Sequence, residues 1–132
     1  MSLKLLIADD EYFIRQRIKK IIPWEKLNLI FAGEAENGQQ VIDHLEKEPV
    51  DLLLLDIKMP HMNGIETARY IKEHFPSVHM LILSGYNDFE YARTVIRYGV
   101  KEYLLKPVAA EELERALSEC IQAIHFEEQT RR

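Results

Sequence analysis

Four stretches of this chain carry side chains that could handle a phosphoryl group, and each directly follows an apolar run. They are Asp9-Asp10-Glu11 after LKLLIA, Asp56 after LLLL, Ser84-Gly85 after HMLIL, and Lys106-Pro107 after EYLL. Carboxylates gathered in one place repel and raise one another's pKa unless something positive neutralises them. A hard divalent cation with oxygen ligands, such as Mg²⁺, supplies that charge, typically held by one or two carboxylates with phosphate and water. Lysine adds a compact point charge that reaches a phosphate oxygen, and a hydroxyl can donate to another. An oxygen nucleophile, a cation, a lysine and a hydroxyl are the parts that phosphoryl transfer requires. Singly, each residue has an ordinary alternative. Asp9 or Asp10 is a good helix N-cap, Ser84 a good turn residue, and Lys106 an ordinary surface lysine.

Whether these residues meet depends on the elements that carry them. Five short apolar segments, Leu3–Ala8, Leu29–Ala35, Asp51–Asp56, His79–Ser84 and Glu102–Lys106, are each followed by a stretch with helical periodicity. The helices are expected over Glu11–Ile22, Gln39–Lys47, Asn63–His74, Asp88–Tyr98 and Ala110–Ile124. Their apolar stripes include Phe13, Ile14 and Ile18 in the first, Phe89, Ala92 and Val95 in the fourth, and Leu113, Leu117 and Ile121 in the last. Strict alternation of strand and helix predicts an α/β, doubly wound parallel sheet of five strands with helices on both faces. The run of four leucines then fits a central strand covered on both sides, and the less apolar LIFAGEA a strand nearer an edge. In such sheets, sites form outside the carboxyl ends of the strands. The four stretches all lie there.

Composition narrows the function classes. The 132 residues suit one domain with a real core, and 47% hydrophobic with 30% charged residues is a globular balance. A net charge of −5, from 22 acidic and 17 basic residues, disfavours direct binding to nucleic acid. No apolar run approaches the roughly 20 residues of a membrane span. The lone Cys120 suits a reducing cytoplasm and a place in the core beside Leu117, Ile121 and Ile124. The five histidines have no metal-ligand spacing; His61 reads as a solvated loop residue. Glu11 is expected to cap the first helix.

The motifs IADDE (Ile7–Glu11), LLDIKMPHMNG (Leu55–Gly64), LSGY (Leu83–Tyr86) and EYLLKP (Glu102–Pro107) resemble those of response-regulator receiver domains of two-component signalling, from about Leu3 to Ile124. The resemblance implies a flavodoxin-like strand order 2-1-3-4-5 and a domain over residues 1–125, followed by a tail or linker start over 126–132. It implies that Asp56 accepts a phosphoryl group from a sensor histidine kinase. Asp10 would ligate Mg²⁺ directly, Asp9 through water, and the Lys58 backbone carbonyl beside Asp56 would complete the metal ligands. Lys106 would pair with a phosphoryl oxygen, with Pro107 after a cis bond, and Ser84 would supply the hydroxyl. Tyr103 would turn inward as a switch, its alternative being a static, half-exposed aromatic. The changed face would comprise the fourth and fifth helices and the fifth strand, with Tyr86, Tyr91 and Tyr98 nearby, and would support homodimers. Such a domain is no enzyme beyond catalysing its own phosphorylation and dephosphorylation.

The wording PWEKLNLIFAGEAENGQ and SGYNDFEYARTVIRYGVKEYLLKPV further resembles receivers joined to a C-terminal AraC-type DNA-binding domain. DNA would then be reached through that output domain and not by this one. Two other readings share some features. A haloacid-dehalogenase-like phosphatase also uses an aspartate nucleophile, Mg²⁺, a lysine and a hydroxyl, but needs a second aspartate where this chain has Lys58. A flavin-binding module wants a phosphate loop after the first strand, where this chain has three acids.

Overall fold

The five apolar runs form five strands, β1 (Leu3–Ala8), β2 (Leu29–Ala35), β3 (Leu52–Asp56), β4 (His79–Ser84) and β5 (Glu102–Leu105). The computed structural model describes residues 2–85 and 89–130, and of Phe89, Tyr91 and Ala92 the backbone only. Every neighbouring pair is parallel, in the order β2-β1-β3-β4-β5. β3 is therefore central, and all five of its residues are buried. β2 lies at an edge, as its weaker apolar character predicts.

Around the sheet lie α1 (Tyr12–Ile21), α2 (Trp24–Leu27), α3 (Gly38–Lys47), α4 (Gly64–His74), α5 (Phe89–Val95) with a 3-10 turn Ile96–Tyr98, and α6 (Ala110–Thr130). Alternate strand residues divide between two cores. Leu5, Ile7, Leu52, Leu54, Leu81 and Leu83 meet Ile18 of α1 and Leu113, Leu117 and Ile124 of α6. Leu6, Leu53, Leu55 and Ile82 meet Val41 of α3, Ile71 of α4 and Val95 of α5 on the other face. Each fully buried leucine contributes about 2 kcal/mol of apolar transfer free energy, so both faces of β3 drive its central position. Cys120 sits in the first core, where burial pushes its thiol up to about 11.

Four features differ from the sequence reading. Phe13 is 82% exposed and is not part of the α1 stripe; it stacks edge-on against the exposed Tyr12 instead. The buried residues of α1 are Arg15 and Ile18. The short helix α2 has no counterpart in the sequence reading; it ends on Asn28 in the left-handed conformation, which Asn tolerates. α6 continues past Ile124 to Thr130, held near its end by Glu127 against His79 at 3.3 Å and Lys101 at 3.8 Å. The fourth helix tightens into its 3-10 turn at Ile96, while its expected first residue Asp88, the inward side chains of Phe89 and Ala92, and Tyr86 and the Tyr91 side chain lie outside the described residues. Among the described residues, no helix is long and apolar enough to cross a membrane.

Candidate phosphoryl and metal site

Parallel pairing sets Ala8 opposite Leu55 and Ser84 opposite Leu105, so Asp9, Asp56, Ser84 and Lys106 leave the sheet at one edge. The Lys106 amide donates to the Ser84 carbonyl at 2.7 Å, which carries β5's end across to β4. The Lys106–Pro107 peptide is cis. From there the Lys106 ammonium reaches Asp9 Oδ2 at 2.7 Å and Asp56 Oδ1 at 3.0 Å. Asp9, Asp56 and Ser84 are buried and Asp10 is exposed at the rim. Carboxylate oxygens of Asp9, Asp10 and Asp56 all lie within 4.8 Å of one another. The three acids and the lysine come together, while Ser84 Oγ at the same edge donates to the Gly85 carbonyl at 3.2 Å.

The loop after β3 is tied down by backbone bonds. Ile57 N–H donates to the Leu83 carbonyl at 3.2 Å, Gly64 N–H to Ile57 at 2.7 Å, and Gly38 N–H of α3 to Met62 at 2.9 Å. Asn63 and Glu66 form a reciprocal capping box at the start of α4. The pattern Asn63-Gly-Ile-Glu66 carried that signal in the sequence. Lys58, exposed, lines a cleft of about 460 Å³ together with Asp10, Met59, Pro60 and Asn63. His61 is exposed in this loop.

Glu11 stands at the N-cap of α1, but its side chain caps nothing. Asp9 Oδ1 instead accepts from the Glu11 amide at 2.9 Å, so Asp9 serves both the local turn and the charged cluster. Tyr103 is partly buried and packs toward the second core, with its hydroxyl donating to Ser84 Oγ at 2.7 Å. Its ring points inward in this structure, at intermediate exposure.

The residues fit a divalent cation. Lys106 brings one positive charge against three clustered carboxylates. Asp9 Oδ2, though buried and close to Lys106, receives no well-aligned hydrogen bond. That one ammonium cannot offset all three carboxylates, and a hard cation is the partner such an all-oxygen set selects. Among the described residues, no other group of acids, histidines and cysteines clusters this way.

Burial first, and then the charge of Asp9, pushes the Asp56 carboxyl up to about 7 against the pull of Lys106. Burial works to lower the Lys106 pKa, but its two carboxylate partners outweigh it and hold the ammonium charged. Between the ordinary 3.8 and about 7, the folded protein keeps a proton on Asp56 that the unfolded chain has released. Stability from this group is therefore full at low pH and is lost as pH rises through about 7. In EDTA, Asp56→Asn is expected to be more stable than the wild type at pH 8, with the gap closing toward pH 5. A displacement of three pKa units corresponds to about 4 kcal/mol; on the order of 2 is expected, because Lys106 also loses a partner. Urea denaturation of both proteins at the two pH values checks it. A pH-independent gap would contradict the strained, charged Asp56.

With this geometry in place, the comparisons with known proteins are specific. Residues 5–118 match the response regulator receiver domain family. The chain belongs to that family. It is 38% identical over 118 residues to the transcriptional regulatory protein YesN of Bacillus subtilis, covering 89% of this chain and 32% of that protein. It is 35% identical over 121 residues to the transcriptional regulatory protein HptR of Staphylococcus aureus, covering 92% and 47%. The chain thus spans about a third to a half of the length of these relatives. Among solved structures, the receiver domain of AraT, a response regulator from Geobacillus stearothermophilus, superposes with a TM-score of 0.92 at 36% identity, covering 97% of this chain and 99% of that one. A two-component transcriptional regulator AraC from Clostridium phytofermentans gives a TM-score of 0.87 at 34% identity, covering 95% and 97%. The protein is a phosphoacceptor module of a two-component system, which catalyses only its own phosphorylation and dephosphorylation. The phosphatase alternative falls with that assignment.

Proposed function

We propose that Asp56 is the residue that takes the phosphoryl group, from the phosphohistidine of a sensor histidine kinase. The observation that carries this reading is the Lys106 ammonium bridging Asp9 and Asp56 at 2.7 and 3.0 Å, beside the exposed Asp10. An Asp56 carboxylate oxygen attacks phosphorus, the phosphorus–nitrogen bond to the kinase imidazole breaks, and an aspartyl phosphate results. Lys106 moves from carboxylate partner to phosphoryl partner, absorbing charge on a transferring oxygen. Ser84 donates its hydroxyl hydrogen to another. Mg²⁺ would be held by Asp10, Asp56 and the Lys58 carbonyl, with Asp9 assisting, and when bound would offset the combined charge of carboxylates and phosphoryl oxygens.

The signal then leaves through β5. Tyr103 and Ser84 share a hydrogen bond, so any pull on the Ser84 hydroxyl is felt by the aromatic ring on the neighbouring strand. Phosphorylation biases an equilibrium between two arrangements of this pair that exists without phosphate. The face that responds comprises α5, β5 and α6, where Ile96 and Leu105 are exposed, and two phosphorylated copies pair through it. In a longer protein this would govern an AraC-type DNA-binding output domain, a reading supported by the regulators named above. The lone, buried Cys120 suits a cytoplasmic setting.

Incubation with acetyl phosphate and Mg²⁺, followed by intact mass measurement, tests the chemistry. One phosphoryl group per chain is expected, and EDTA should prevent its addition. Addition that is indifferent to EDTA would contradict the metal-assisted site, and steady hydrolysis of a general phosphomonoester would contradict the acceptor role.

A further inference from the structure

Arg15 is an arginine in a place that the apolar spacing of α1 reserves for the core. It lies three residues before Ile18 and is 6% exposed. A buried guanidinium is expensive unless its donors are matched. Here Nη1 donates to the Asp9 backbone carbonyl at 2.8 Å, and Nε donates to Glu34 Oε1 of β2 at 2.8 Å. Glu34 is itself held by Gln16 Nε2 at 2.9 Å and by Lys19 Nζ at 3.3 Å, and the Tyr12 ring lies under the Arg15 guanidinium with its centroid 5.7 Å away. Burial would raise the Glu34 carboxyl, but the bonds from Arg15 and Lys19 outweigh it and hold it below the ordinary range. The chain Gln16/Lys19–Glu34–Arg15 thus ends on the peptide that joins Asp9 to Asp10.

We propose that Arg15 is a positioning residue for the cation site, fixing the Asp9–Asp10 peptide so that both carboxylates face Asp56. This rests on the reading that these acids hold Mg²⁺. The turn is otherwise anchored by the Asp9 amide to the Ala35 carbonyl at 3.0 Å and by Asp9 Oδ1 to the Glu11 amide, neither of which restrains the Asp9 carbonyl. With that carbonyl released, the peptide can rotate and carry Asp10, the exposed ligand, off the site. Groups that orient metal ligands from behind typically change affinity by about 10-fold or more when removed.

Charge alone predicts the opposite sign. Arg15 is a cation close to a cation site, so deleting it should strengthen Mg²⁺ binding if electrostatics were its contribution. A purely structural ion pair between α1 and β2 predicts lost stability with unchanged affinity. The test is Mg²⁺ affinity by isothermal titration calorimetry at pH 8 on the wild type, Arg15→Met, Arg15→Lys, Glu34→Gln and Val50→Ala. Val50, buried just before β3 at the other end of the sheet, serves as a destabilised control. Arg15→Met is expected to bind about 10-fold more weakly, Arg15→Lys to fall between it and the wild type, and Glu34→Gln to weaken to a lesser degree, with Val50→Ala unchanged. Unchanged or tighter binding in Arg15→Met overturns the inference, as does equal weakening in Val50→Ala. Should Arg15→Met not fold, unchanged affinity in both Arg15→Lys and Glu34→Gln overturns it equally. If the wild type itself shows no saturable binding, the Mg²⁺ reading fails first, which is a separate result.

Discussion

Lys106→Met is expected to lose about 3–5 kcal/mol of stability at pH 8 in EDTA, the range found when one partner of a buried ion pair is removed. The side chain is only 19% exposed and stands between two carboxylates that are themselves almost fully buried. Methionine fills a similar volume, so the loss comes from charge and not from a cavity. Asp9 and Asp56 would face each other with no cation between them, and protonating Asp56 relieves the repulsion. The deficit should therefore shrink toward pH 5, where Asp56, with its pKa near 7, is already protonated. Mg²⁺ should restore more stability to the variant than it adds to the wild type, because it replaces the missing positive charge. Urea denaturation with and without Mg²⁺ measures both effects. A deficit of equal size at the two pH values, and untouched by Mg²⁺, would mean that Lys106 matters for packing and not as the counter-charge of the site.

The second large effect is steric. A methyl group on Gly64 would stand 2.7 Å from Ile57 Cα and 3.0 Å from the Asp56 carbonyl carbon, and nearer still to its oxygen. These neighbours are backbone, so no side-chain rotation relieves them. Gly64→Ala must push the start of α4 away from the end of β3, straining the 2.7 Å bond from Gly64 N–H to the Ile57 carbonyl. Overpacking of this kind costs about 1–3 kcal/mol, and the upper end is expected where only backbone can yield. The displaced segment also carries Lys58, so Mg²⁺ affinity should fall along with stability. By comparison Gly99, whose added Cβ would meet nothing within 4 Å, offers a control that tests backbone conformation alone. Full stability and wild-type Mg²⁺ affinity in Gly64→Ala would show that the loop has freedom that its bonding does not suggest.

Much of this architecture was legible in the residues because burial on two faces leaves a plain mark. LLLL needs no alternation when both sides are covered, and an acid ending such a run can only lie where the strand emerges. That is why the sequence alone places Asp56, Asp9, Ser84 and Lys106 at one edge. What escaped had no periodic signature. Phe13 has the spacing of the α1 stripe but is exposed, while the buried Arg15 is held by Asp9 and Glu34 on other elements. A pair between α1 and β2 leaves no pattern along the chain. The one-turn helix α2 is too short for periodicity, and the extension of α6 depends on Glu127 finding His79 and Lys101 across the fold. The inward Tyr103 is likewise a matter of one hydrogen bond to Ser84, which spacing alone cannot decide.

The central claim is that Asp56 carries the phosphoryl group. It is tested most directly by exposing the wild type and Asp56→Asn to acetyl phosphate with Mg²⁺ and weighing the intact chains. The wild type should gain one phosphoryl group and Asp56→Asn none, although the latter folds at least as well at pH 8. An undiminished adduct on Asp56→Asn, or none on the wild type, would contradict the account.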